Sequence, residues 1–144
     1  MKFWDTSGVV SLCVIEPVSQ FTKEILKADE AMVVWWATRI ECISAFVRQR
    51  RERILDPEGE EQARTILKRL SETWTEVHPT QNVRETAERL LAVHPLRTAD
   101  ALQLAAALEW CRGRPRETGI VSFDLRLRDA ARKEGFSILP NTWS

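Results

Sequence analysis

Apolar residues fall into two kinds of block along the chain, and their alternation sets the expected fold. Short compact apolar runs stand at residues 2–4, 31–35, 77–79, 119–123 and 136–139, each bounded by polar or turn-forming residues. Such runs read as buried strands. Between them, apolar positions recur every three or four residues over 7–14, 18–28, 38–53, 60–75, 80–93, 99–111 and 125–133. That spacing predicts helices with one face toward a core. Ala63, Ile66, Leu67 and Leu70 share one such face, and Val83, Ala87, Leu90 and Leu91 another. The punctuation agrees. Pro17 is expected in the first turn of the second helix, Asp56-Pro57-Glu58-Gly59 breaks the chain before the fourth, and Gly135 ends the last. Thr80 and Thr98 stand where helix caps are expected.

Strands that are apolar throughout, alternating with helices, belong to a parallel sheet covered on both faces. The expected fold is therefore α/β: a three-layer α/β/α sandwich on a short parallel sheet. At 144 residues the chain suits a single domain, 1–144, and neither a repeat nor a low-complexity segment interrupts it. No run approaches 18 apolar residues, so no membrane span is expected. The apolar stretch 9–15 lies between Asp5 and Glu16 and lacks a small-residue cleavage site, so it does not read as a secretory signal.

Charge changes the picture. Twenty-one basic residues offset twenty-one acidic ones, so bulk electrostatics would not hold a polyanion. A local patch or a bound metal would have to do so. Of the basic residues 16 are Arg and 5 are Lys, and arginine suits bidentate phosphate contacts. Cys13, Cys42 and Cys111 form no CxxC, and His78 and His94 have no metal-ligand spacing. A reducing, cytoplasmic setting is the expectation, with little support for a zinc site or a Ser-His-Asp triad.

Four acids stand where hydrophobic patterning would not put them. Asp5 follows the first strand and Asp124 the fourth, the rim where open parallel sheets bind ligands. Glu41 sits among Ile40, Cys42, Ile43, Ala45 and Phe46, with small residues one helical turn on. Asp100 opens ADALQLAAAL, a helix apolar nearly all round and hence buried. Each also has an ordinary structural explanation: Asp5 and Asp124 as helix caps, Asp100 as a first-turn acid favoured by the helix dipole, Glu41 as an exposed face residue. If all four converge, their repulsion demands protons or cations, since two carboxylates about 4 Å apart repel by ~4 kcal/mol at an effective dielectric of 20. Mg²⁺ or Mn²⁺ is the natural cation for an all-oxygen site.

The residues FWDTSGVV at the start, Glu16, ECISAFVR from Glu41, LRTADALQLAAAL from Leu96 and VSFDLRLRDAARKEGFSILP from Val121 resemble PIN-domain ribonucleases, in particular VapC-type toxins of type II toxin–antitoxin pairs. The blocks around Asp100 and Asp124 carry most of the resemblance, and residues 54–94 match only in helical character. It implies a PIN-like fold and a Mg²⁺- or Mn²⁺-dependent endoribonuclease leaving a 5′-phosphate and a 3′-hydroxyl. It also implies an RNA substrate, a cognate antitoxin and a homodimer. The family's acidic quartet falls on Asp5, Glu41, Asp100 and Asp124, as catalytic residues and metal ligands, with Thr6 and Ser122 in support. Trp4, Gly8 and Gln103 depart from it, where a smaller aliphatic residue, Ala and His are more usual.

Arg48, Arg50, Arg51 and Arg53 follow Glu41 on its helix and could guide RNA phosphates; a solvated helix face is the plainer account. Trp35 and Trp36 could stack bases, with a core role expected for at least one. Three rival readings remain. One is a PIN-fold nuclease in RNA processing outside toxin–antitoxin biology. Another is a catalytically silent module that binds RNA or protein. The third is a haloacid-dehalogenase-type phosphatase, whose second motif Asp is missing from Asp5-Thr6-Ser7.

Overall fold

Asp5, Asp56, Thr80 and Asp124 each stand one residue before a helix and accept a hydrogen bond from the third amide beyond, those of Gly8, Gly59, Val83 and Leu127. These caps satisfy amides that the helix leaves free and fix where it begins. The computed structural model describes residues 1–143. In chain order the elements are β1 (Lys2–Trp4), α1 (Thr6–Cys13), α2 (Ser19–Ala28), β2 (Met32–Trp35), α3 (Thr38–Arg51) and α4 (Pro57–Thr73). There follow β3 (Thr75–Val77), α5 (Gln81–Val93), α6 (Thr98–Cys111), a 3-10 turn at Pro115–Glu117, β4 (Gly119–Val121), α7 (Leu125–Lys133) and β5 (Ser137–Leu139).

The five strands form one sheet in the order β3-β2-β1-β4-β5, and every pair is parallel. Alternate strand residues face opposite cores. Phe3, Val33, Trp35, Ile120 and Ile138 pack with apolar residues of α5, α6 and α7. Trp4, Met32, Val34 and Val121 pack with α1, α3 and α4 on the other face. The fold is the expected three-layer α/β/α sandwich. Chain direction across the sheet reverses between β1 and β4, and at such a switch point the connecting loops part and leave a crevice. Asp5 and Asp124 lie on the chain just beyond these two strands.

Several boundaries move. α4 begins at Pro57 rather than residue 60, because Asp56 caps the turn that the Pro-Glu-Gly cluster opens. It ends at Thr73, where Trp74 turns into the core. β3 is Thr75–Val77 rather than 77–79, since Val77 completes the register with Trp35 and Pro79 has no amide to give. Pro17 precedes α2 instead of entering its first turn. Thr98 is the first residue of α6; the cap position belongs to Arg97, whose side chain makes no cap bond. Among the described residues no helix is long and apolar enough to cross a membrane.

Candidate functional site

The crevice at the switch point is a cavity of about 320 Å³, and Asp5, Glu41, Asp100 and Asp124 all line it. They arrive on four separate elements. Asp5 follows β1, Asp124 precedes α7, Asp100 lies in the first turn of α6 and Glu41 in the first turn of α3.

Asp5 is the anchor. It is 4% exposed. Its Oδ1 accepts from the Ser7 hydroxyl at 2.7 Å and the Gly8 amide at 3.0 Å; its Oδ2 accepts from the Ser122 hydroxyl at 2.6 Å. Burial nevertheless pushes its carboxyl up from 3.8 to about 6; the three hydrogen bonds oppose the rise and the Asp124 charge adds to it. Ser122 Oγ also accepts from the Asp124 amide at 3.1 Å, and Ser7 Oγ from the Phe123 amide at 2.8 Å. Two hydroxyls thus tie the end of β1 to the loop after β4. Capping and site-building are the same act here: Asp5 and Asp124 are caps, and the caps hold them at the rim.

Glu41 is held from two directions. Its Oε1 accepts from the Thr6 hydroxyl and, at 2.8 Å, from Gln103 Nε2. Gln103 is 3% exposed, and the same nitrogen lies 3.0 Å from Thr6 Oγ1 and 3.0 Å from Thr38 Oγ1. Its amide oxygen is buried with no donor among the described residues. Asp100 is partly exposed, and its carboxyl is raised, first by burial and then by the charges of Asp124 and Glu41; nearby Arg97 pulls it back. Glu16 also lines the cavity, and burial raises its carboxyl too.

Of the two residues expected in support, Thr6 donates a hydrogen bond to Glu41 and Ser122 donates one to Asp5. Ser7 and Gln103 also line the cavity, and Thr38 lies behind it against Gln103. Ser7 was legible as a hydroxyl beside Asp5; Thr38 was not. Of the arginines on α3, Arg48 lines the cavity, whereas Arg50 and Arg51 lie outside its wall. Trp35 is core at 4% exposure, and Trp36 is exposed.

The donor set suits a hard cation. All four groups offer oxygen, and burial and mutual repulsion raise the carboxyls of Asp5 and Asp100. Asp5 has about four acceptor positions and uses three, leaving one free on Oδ2. Among the described residues no three of these acids are drawn together into a ready-made ion cage. Mg²⁺ does not need one, because it is usually held by one or two carboxylates and several waters.

Comparison of the sequence with protein-family models and with curated proteins gives no match. Among solved structures, a chain of a toxin–antitoxin complex from Klebsiella pneumoniae is similar in fold, with a TM-score of 0.56 and 18% identity over 86% of this chain and 87% of that one.

Proposed function

We propose that this chain is a divalent-metal-dependent endoribonuclease of the PIN type, acting as the toxin of a toxin–antitoxin pair. One observation carries the reading: acids from four elements, far apart in sequence, line a single cavity at the sheet's switch point. The shared fold with a chain from a toxin–antitoxin complex supports the toxin role. Asp5, Glu41, Asp100 and Asp124 would hold Mg²⁺ or Mn²⁺. When bound, the cation supplies neutralisation of these charges and of the phosphodiester, and a more acidic water.

The chain's own residues do the rest. Ser7, Ser122 and the Gly8 amide fix the Asp5 carboxylate; Thr6 and Gln103 fix Glu41. Arg48 on the cavity wall orients the phosphate. A water attacking phosphorus in line gives its proton to one of the carboxylates, the bond from phosphorus to the 3′-oxygen breaks, and that oxygen takes up a proton to leave as the 3′-hydroxyl while the phosphate stays on the 5′ side. An RNA substrate, a cognate antitoxin, a second copy of the chain and a cytoplasmic location complete the reading.

The test is cleavage of single-stranded and structured RNA with Mg²⁺, Mn²⁺ or a chelator, followed by end mapping. Wild type cuts only with metal and leaves 5′-phosphates; Asp5→Asn keeps its circular dichroism and does not cut. No cleavage by wild type with either metal, or equal cleavage by Asp5→Asn, overturns the proposal.

A further inference from the structure

A second groove, of about 500 Å³, adjoins the acid cavity and shares Ala99, Asp100 and Asp124 with it. Its remaining wall is Arg97, Leu125 and Arg126. Arg97 immediately precedes α6 and Arg126 lies in the first turn of α7, so positions 29 residues apart meet beside the acids. Neither guanidinium has an ion-pair partner within 4.0 Å among the described residues. Both are exposed, and Leu125 between them is 71% exposed. On the far wall of the acid cavity stands Arg48, on a helix of the opposite layer.

Arg97 offsets part of the Asp100 charge, but a site meant only for a divalent cation has no use for a pair of guanidiniums, which repel it. They favour an anion that spans the acids and reaches past them on either side. Arginine matches phosphate geometry bidentately, and an exposed Leu offers an apolar surface to a base.

We propose that this groove holds the backbone of a single-stranded RNA on one side of the cleaved bond, with phosphates on Arg97 and Arg126. The inference rests on the nuclease reading and adds where the strand runs: from Arg48, across the acids, into the groove between the starts of α6 and α7.

The test uses the full chain carrying Asp5→Asn, which binds without cutting, and a labelled single-stranded RNA titrated at several salt concentrations. Each phosphate contact on a single strand contributes about 0.7 to the slope of log affinity against log salt. Adding Arg97→Gln and Arg126→Gln lowers the slope by about 1.4 and weakens binding roughly tenfold, near 1.4 kcal/mol. The pair Arg112→Gln and Arg114→Gln removes the same charge from the loop before β4, at the opposite end of the sheet, and leaves the slope unchanged. An unchanged slope in the Arg97/Arg126 variant overturns the groove and leaves the nuclease reading standing. Failure of the Asp5→Asn protein to bind RNA at all overturns both.

Discussion

Gln103 has two amide hydrogens and three oxygens within hydrogen-bond distance of its nitrogen, and the Glu41 carboxylate is the shortest contact at 2.8 Å. The reverse orientation would set its carbonyl oxygen against that carboxylate, so Glu41 decides which way the amide points. Gln103 therefore positions Glu41, as partners of metal-binding side chains commonly do. Replacing it with Leu leaves Glu41 with the Thr6 hydroxyl alone. Such outer partners are typically worth 10–100-fold in metal affinity or activity. Gln103→Leu is expected to lower kcat/KM by about that factor and to weaken Mn²⁺ binding by calorimetry. Gln103→His, which keeps a donor, recovers much of both. A Leu variant with unaltered Mn²⁺ affinity removes this role. From the sequence, Gln103 was visible as an unusual residue in an apolar helix and as a departure from a family pattern. Its target was not, because Glu41 lies 62 positions away, and only the packing of α6 across β2 brings α3 and α6 side chains to one place.

At the scale of elements, α1 lies so close to the sheet that a methyl group at residue 8 would crowd its neighbours. A Cβ on Gly8 would sit 3.1 Å from the Val121 carbonyl oxygen, 3.2 Å from Val121 Cγ1 and 3.2 Å from the Trp4 ring. Trp4 is fully buried and Gly8 buried beside it. The larger residue at 4 and the smaller one at 8, the two departures from the pattern that the sequence resembles, thus compensate each other in one contact. Gly→Ala inside a helix gains up to about 1 kcal/mol in propensity, while crowding a packed core costs about 1–3 kcal/mol. Since a backbone carbonyl is one of the obstacles, crowding wins. Gly8→Ala is expected to lower stability by about 1 kcal/mol in urea unfolding, and to reduce cleavage by moving the Gly8 amide off Asp5. A stabilised Gly8→Ala protein contradicts this. Helix positions were largely legible because their apolar faces repeat over many residues. The ends were less so: Pro57 became the first residue of α4 and β3 slid two residues toward the N-terminus. Such boundaries are decided by single caps and by register with a neighbouring strand, neither of which has a period to read.

For the molecule as a whole, parallel order and the switch point place four acids in one cavity, and the fold carries an electrostatic cost there. Their convergence was legible as a demand for neutralisation; the groove formed by Arg97 and Arg126 was not, because it depends on how two helix starts are juxtaposed. The cost has a sign that can be worked out. Asp5 holds its proton up to about 6 in the fold against 3.8 ordinarily, so between these values the folded protein binds more protons than the unfolded chain. Stability therefore falls as pH rises through that window, and the full penalty is present above about pH 6. About two pH units correspond to roughly 3 kcal/mol as a ceiling, less whatever the carboxylate's hydrogen bonds lose on substitution. Asp5→Asn has no such titration. In chelator its melting temperature should equal or fall below that of wild type near pH 4, then exceed it by a growing margin up to about pH 6.5, in line with about 1–3 kcal/mol. Other carboxyls, Asp100 included, titrate in both proteins and largely cancel in the difference. Mg²⁺ or Mn²⁺ is expected to offset most or all of that margin at pH 7, because a ligand at 100 times its Kd stabilises the protein that binds it by about 2.7 kcal/mol. Wild type should rise on adding metal and Asp5→Asn should scarcely move. Equal metal-induced shifts in the two proteins would place the cation elsewhere, and a difference in melting temperature that stays flat from pH 4 to 6.5 would mean that Asp5 is not the strained carboxyl.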